Sequence, residues 1–362
     1  VVRFKNIMDK NKYFELSQKN KRLLRFLNIF ILFFALPLLI IFYFNYAINR
    51  PSQTFKDLNY NLKSGDSIEK IASDLKDLGV INSENLFILY SKIFRIYPKI
   101  QAGIYTFPAG SSLVQVINQL QSGSNGIAII FWEGKRLEEY GLIAASKLPG
   151  FDYEKFIEKT KGKEGMLFPD TYFFYPSANE DDVIRVMTEN FKNKMDKIKK
   201  TEEYQKTTLT DNQIFIIASL LEKEAPKGQQ RRYVAGIIIN RLSNNDRLGI
   251  DASNQYGVAL RNVCPNNFTQ RVCPDLETAK TVVWWKPDLT KSDLALEEPF
   301  NTRINRGLPP HPISSFSEDA IMSVLKYIPS NYYYYLHDSN GGIHYAETAS
   351  QHSENVSRYI RY

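Results

Sequence analysis

Apolar positions fall first in one unbroken block and then in periodic segments. Residues 26–48, FLNIFILFFALPLLIIFYFNYAI, hold no charged side chain, and a run of that length predicts a membrane-spanning helix. Pro37 is tolerable there because neighbouring groups in lipid can satisfy the freed carbonyl. Residues 49–57 are polar and read as a linker. Periodicity begins after them. Ser67 is placed as an N-cap before Ile68, Ile71, Ala72 and Leu75 at helical spacing, and Gly79 closes that helix. Residues 84–97 predict a second helix. Residues 101–123 predict a short strand, a turn and a third helix, and Gly123-Ser124-Asn125-Gly126 ends the unit.

From residue 126 the pattern mixes both periods. IAIIFW (127–132) predicts a strand, and helical spacing follows to about residue 160. GMLFPDTYFFYP (165–176) reads as loop and extended chain. Residues 180–205 predict a charged amphipathic helix, 211–225 a greasy one with Thr210 or Asp211 as N-cap, and 228–245 another. Residues 249–310 read mostly as loop, and YYYYL, HDSNGG and IHYA as a hairpin. The expected fold class is α+β: a basic tail over 1–25, one transmembrane helix over 26–48, a linker over 49–57, a small α/β subdomain over 58–125 and a larger α+β domain over 126–362.

Charge changes the picture only at the start. Arg3, Lys5, Lys10, Lys12, Lys19, Lys21, Arg22 and Arg25 stand against Asp9 and Glu15, which is most of the formal net charge of +7. The remainder is close to neutral, so the chain carries no nucleic-acid footprint. The basic flank orients the apolar run with residues 1–25 inside and everything after about 49 outside. Phe42, Tyr43, Phe44 and Tyr46 fit an aromatic belt at the far interface. The run ends FYFNYAINRP, a poor cleavage site for a signal peptide. The two cysteines, Cys264 and Cys273, fit no zinc pattern; a local disulfide and two free thiols both stay open.

The candidate chemistry sits in IIASLLEKEAPKG (216–228), where two carboxylates end an apolar helix. Glu222 and Glu224 lie about 200° apart on a helix and cannot share a face. Ile217, Leu221 and Glu224 follow i, i+4, i+7, so Glu224 continues the apolar stripe. Glu222 lies over Ala218 and Ser219 and reads as structural, either positioning the surroundings of Glu224 or pairing with Arg232 or Arg241. Glu133 also reads as structural. LGIDASNQYG (248–257) and PFNTRINRGLPPHPISS (299–315) are polar segments with rigid turns of the kind that carry sites. His337, His344 and His352 lack tight ligand spacing, so no metal is expected.

AGIYTFPAG, Glu133-Gly134, LFPDTYFF, ASLLEKEA, IIINRL, DASNQYG, FNTRINRGLPPHPI and GGIHYAETASQHSENV, in that order over about residues 58–355, resemble the YceG-like endolytic murein transglycosylases (MltG-type). The resemblance implies a membrane-anchored lytic enzyme that cuts the β-1,4 bond between N-acetylmuramic acid and N-acetylglucosamine in nascent glycan strands. The muramyl C6 hydroxyl attacks its own C1 and leaves a 1,6-anhydro end, so the enzyme acts as a chain terminase. It places the catalytic carboxylate on Glu224, in agreement with the face argument. It puts Asp251 on the substrate side, with Asn254, Tyr256 and Asn301 as further glycan contacts. It makes the 58–125 unit LysM-like, a glycan binder or a spacer. No cofactor is implied. Partners are peptidoglycan strands and cell-wall synthases. The location is the bacterial inner (cytoplasmic) membrane, single-pass, with the N-terminus cytoplasmic and the catalytic part periplasmic or otherwise extracytoplasmic. Two other readings remain: a peptidoglycan-binding scaffold with a degenerate site, and a hydrolytic muramidase with Asp251 as second carboxylate. The chain departs from the family pattern at Asp251-Ala252-Ser253 (commonly D-P-T), at Phe300 (commonly Tyr), at His311 (commonly Gly) and in a longer 258–298 loop.

Overall fold

The computed structural model describes residues 26, 31–63, 65–123, 126–225, 227–264 and 274–360. They fall into two compact units, one up to Asn125 and one from Gly126.

In the first unit a π-helical turn, Ile31–Ala35, runs into helix α1, Leu36–Asn49. Pro37 has no N–H to complete the helical ladder and its ring crowds the carbonyl four residues back, so the turn before it loosens. The helix expected across 26–48 is therefore found in two pieces. Among the described residues no helix is long and apolar enough to cross a membrane, and residues 27–30 lie outside them. The rest follows the predicted order. Strand β1 (Leu58–Leu62) pairs antiparallel with β2 (Gly103–Phe107), Leu58 opposite Phe107. Between them run α2 (Ile68–Asp77) and α3 (Glu84–Ile93), and α4 (Leu113–Ser122) follows. Ser67, Ser83 and Ser112 cap these three helices, each accepting from a backbone N–H three residues on. Ile71, Leu75, Phe87, Tyr105, Phe107, Val116 and Leu120 close a common core.

The second unit has two cores. The first is built around β3 (Ile127–Ile130), paired antiparallel with β4 (Thr171–Phe174). Helices α5 (Leu137–Ala145), α6 (Tyr153–Lys159) and α7 (Glu180–Ile198) supply Tyr140, Phe156 and Met187 to it. The single helix expected over 180–205 is divided. Thr201 accepts a hydrogen bond from the Tyr204 N–H and starts a separate turn, α8 (Glu202–Lys206), because its hydroxyl offers the backbone an alternative to the helical ladder.

The second core is centred on α9 (Asp211–Glu224), whose residues 214–221 are all buried. Thr210 and Gln213 cap it reciprocally. Around it pack α10 (Gln229–Ser243), α11 (Asp251–Val263) and α14 (Glu318–Leu325), with short α12 (Leu276–Thr281) and α13 (Lys291–Leu294) between. Helix α11 corrects the loop reading of 249–310. Its N-cap is Ile250, with no side-chain cap, and Asn254 and Gly257 weaken the local signal. Burial of Ala252, Tyr256 and Leu260 holds it instead. The hairpin is β5 (Tyr334–His337) with β6 (Ile343–Ala346), and α15 (Ala349–Tyr359) follows. Cys264 is disulfide-bonded; Cys273 lies outside the described residues.

Candidate active site

The last turn of α9 sends its two carboxylates to different surroundings. Glu222 Oε2 accepts from the Ser317 N–H (2.9 Å) and hydroxyl (2.7 Å), and Oε1 accepts from Arg231 Nη2 at 3.1 Å. Arg231 also reaches Asp319 and the Ala225 carbonyl. Glu222 thus ties α9 to α10 and to Ser317, the N-cap of α14. The pairings expected with Arg232 or Arg241 are not formed. Arg232 donates to the Lys326 carbonyl, and Arg241 to the carbonyls of Tyr333, Arg247 and Leu248.

Glu224 continues the buried stripe of Ile217 and Leu221 but keeps part of its own surface open. Its Oε2 accepts the Tyr335 hydroxyl at 2.9 Å, and the Ala252 N–H at the start of α11 also donates to the carboxylate. The charges of Asp251 and Arg303 also act on it, one of like and one of opposite sign. Burial is the largest influence and raises the Glu224 pKa above the ordinary carboxylate range. Asp251 adds to the rise, while Tyr335, the Ala252 N–H and Arg303 pull against it. Lys223, between the two glutamates, extends over the Trp285 ring at 3.7 Å, and burial lowers its pKa.

Of the four expected glycan contacts, only Asp251 is open. It pairs with Arg303, Nε to Oδ1 at 2.9 Å, with both side chains roughly half exposed. Asn254, Tyr256 and Asn301 are fully buried. Asn254 donates to the Asp293 carbonyl. Tyr256 donates to Glu164 and lies under the Arg136 guanidinium, 3.9 Å away. Asn301 donates to the Leu294 and Leu296 carbonyls and accepts the Arg303 N–H, which fixes the turn presenting Arg303. Once 251–263 is a helix, Ala252, Tyr256 and Ala259 form its inward stripe and Asp251 stays at the edge. These side chains therefore meet protein rather than an open surface.

Tyr335, the Ala252 N–H and Arg303 are the site groups not singled out in the sequence. Tyr335 lies in a run of four tyrosines, where strand alternation offers two faces and no means of choosing between them. His344 pairs with Asp338 at 2.7 Å and stacks on Tyr359; His352 stacks on Tyr334. Among the described residues no three His, Cys, Asp or Glu side chains converge as a metal site.

One desolvated carboxyl, held by a hydroxyl and a backbone N–H at a helix end, is able to give and take a proton. The model of the YceG-like family matches residues 60–358, and the chain belongs to that family. It is 27% identical over 332 residues to the endolytic murein transglycosylase of Bacillus subtilis (strain 168), covering 84% of this chain and 85% of that protein. It is 25% identical over 349 residues to the endolytic murein transglycosylase of Streptococcus pneumoniae (strain D39), where the match covers 84% of this chain and 59% of the relative. The crystal structure of a YceG-like protein from Listeria monocytogenes shares the fold, with a TM-score of 0.52 at 22% identity, over 83% of this chain and 99% of that one.

Proposed function

We propose that the chain is an endolytic lytic transglycosylase of peptidoglycan, with Glu224 as its acid and base. The observation that carries this reading is the raised pKa of a carboxyl that burial desolvates and Tyr335 and the Ala252 N–H hold in place. Glu224, protonated, gives its proton to the glycosidic oxygen as the bond from the muramyl C1 breaks. The C6 hydroxyl of the same sugar then closes on C1 and returns its proton to the Glu224 carboxylate. No water enters, and the product is a 1,6-anhydro end. Hydrolytic glycosidases need a second carboxylate to activate water or attack carbon; here the nucleophile is built into the substrate, and its proximity is already supplied.

The finer expectations form part of the proposal. The bond is the β-1,4 link from N-acetylmuramic acid to N-acetylglucosamine, cut in nascent strands near the synthases so that chain growth ends. The uncharged run over 26–48, with Leu38, Ile41 and Phe42 well exposed, would hold the protein at the cytoplasmic membrane. The strand–helix–helix–strand order of the first unit supports its LysM-like reading. Asp251, open beside Glu224, favours a hydrolytic muramidase as the second reading.

The test incubates the full chain and its Glu224→Gln variant with uncrosslinked glycan strands and weighs the products by mass spectrometry. Ends lighter by one water, made by the parent and not by the variant, are the expected result. Ordinary reducing ends would establish hydrolysis, and binding without cleavage would establish a scaffold.

A further inference from the structure

Tyr335 is 111 residues beyond Glu224 in the chain, yet their side chains meet at 2.9 Å. Three features hold the phenol there. Tyr335 pairs across the hairpin with Tyr345. Asn240 of α10 donates to the carbonyls of Ser330 and Tyr332, and Arg241 donates to that of Tyr333, so the strand enters in a fixed register. The ring packs against the core around α9. Among the described residues Glu224 is the one hydrogen-bond partner of the Tyr335 hydroxyl.

We infer that Tyr335 is a positioning residue for the acid: its hydroxyl, donated to Oε2, leaves Oε1 of Glu224 as the oxygen that carries and delivers the proton. This rests on the proposed acid–base role of Glu224. If the proton sat on Oε2, the phenol would have to turn its own hydrogen away, with no second acceptor to receive it. A half-buried donor turned away gives up the hydrogen bond it makes to Oε2. The same bond is worth more once Glu224 has become a carboxylate, because a hydrogen bond to a charged oxygen is the stronger kind. Tyr335 therefore stabilises the state between the two proton transfers and keeps the desolvated carboxyl able to act as base as well as acid. Burial, and then the charge of Glu224, push the Tyr335 pKa well up, so the phenol remains a donor throughout. The other charged groups facing the pair are Asp251 on α11, Arg303 on the 299–315 segment and Arg241 on α10, with His337 beside Tyr335 on β5.

The experiment compares the full chain with Tyr335→Phe, measuring kcat and KM for anhydro-end release across pH. Loss of the bond lowers kcat by about ten- to a hundredfold, leaves KM in place, and moves the alkaline limb of the profile to higher pH, because the carboxylate has lost a stabilising donor. A second variant carries 3-fluorotyrosine at 335, a stronger donor of nearly the same shape, and moves that limb to lower pH. This variant also decides the matter if Tyr335→Phe does not fold. Anhydro ends released with an unmoved limb in both variants would overturn the inference alone. No anhydro ends from the unaltered chain would overturn the functional reading and the inference with it.

Discussion

Gly236 on α10 lies so near the carbonyl oxygen of Ile328 that a Cβ there would stand 2.3 Å from it. The approach is locked by the Ile328 N–H, which donates to the Arg232 carbonyl at 3.1 Å, and by Arg232 Nε on the Lys326 carbonyl at 2.6 Å. The segment so clamped leads directly into β5 and the Tyr335 phenol. Backbone-to-backbone contact at one glycine thus helps set the geometry at Glu224.

Gly236→Ala is expected to destabilise the protein by about 1–3 kcal/mol, the range for forcing extra volume into a packed contact. Backbone cannot move aside as a side-chain tip can. A thermal melt reads the loss. Activity should fall along with it, since β5 must shift outward. Unchanged melting and unchanged activity would mean the contact is slack.

The two glutamates should respond in opposite ways to neutralisation. Glu222 is a buried partner of Arg231, and Glu222→Ala leaves that guanidinium with only the part-exposed Asp319 as its counter-charge and takes the acceptor from the Ser317 N–H and hydroxyl. A loss of roughly 3–5 kcal/mol follows. Glu224→Gln removes a carboxylate that burial disfavours, so its melting temperature should equal or exceed the parent's. The folded pKa of Glu224 is raised, so the stability it contributes is complete at low pH and lost as pH rises through that pKa. The advantage of Glu224→Gln should therefore grow with pH. A variant less stable than the parent at alkaline pH would contradict this.

Glu298 offers a sharper pH test. Its carboxyl lies against Gly257 of α11, accepts the Phe300 N–H at 2.7 Å, and is 5% exposed. Burial, opposed by the Phe300 N–H and by Arg261, raises its pKa to about 7. The folded state holds this proton more tightly than the unfolded chain does. Its contribution is full below the ordinary carboxylate pKa of about 4.3 and falls away as pH rises to near 7. Glu298→Gln should match the parent at pH 4 to 5 and exceed it above pH 7 by up to roughly 3 kcal/mol. Denaturant titrations at both ends of that range measure the difference.

Asp251 raises the Glu224 pKa and Arg303 lowers it. Asp251→Asn should move the alkaline limb of activity to lower pH, and Arg303→Gln to higher pH. Both charges are substantially exposed, so added salt should shrink both shifts. Shifts in the same direction from the two variants would refute the electrostatic account and point to displaced backbone at Ala252.

Much of this site is legible in the order of residues along α9. The i, i+4, i+7 stripe of Ile217, Leu221 and Glu224 separates Glu224 from Glu222, and the two occupy the different environments that separation implies. The hairpin is equally legible from its strand–turn–strand pattern. Helix α11 is not, because Ile250 supplies no side-chain cap and Asn254 and Gly257 favour other conformations. A loop over that stretch would leave Asn254 and Tyr256 available to a glycan; the helix packs both of them inside.

The division has a physical basis. Sequence alone determined what nearest neighbours along the chain control: the period of α9, a cap at Thr210 or Asp211, and which glutamate continues the apolar stripe. Tertiary structure alone decided that Tyr335 meets Glu224, that Arg231 rather than Arg232 meets Glu222, and that Asn301 accepts the Arg303 N–H. Those choices depend on which distant surfaces bury one another. A helical or strand period says which face of an element is apolar, but not which other element will cover it.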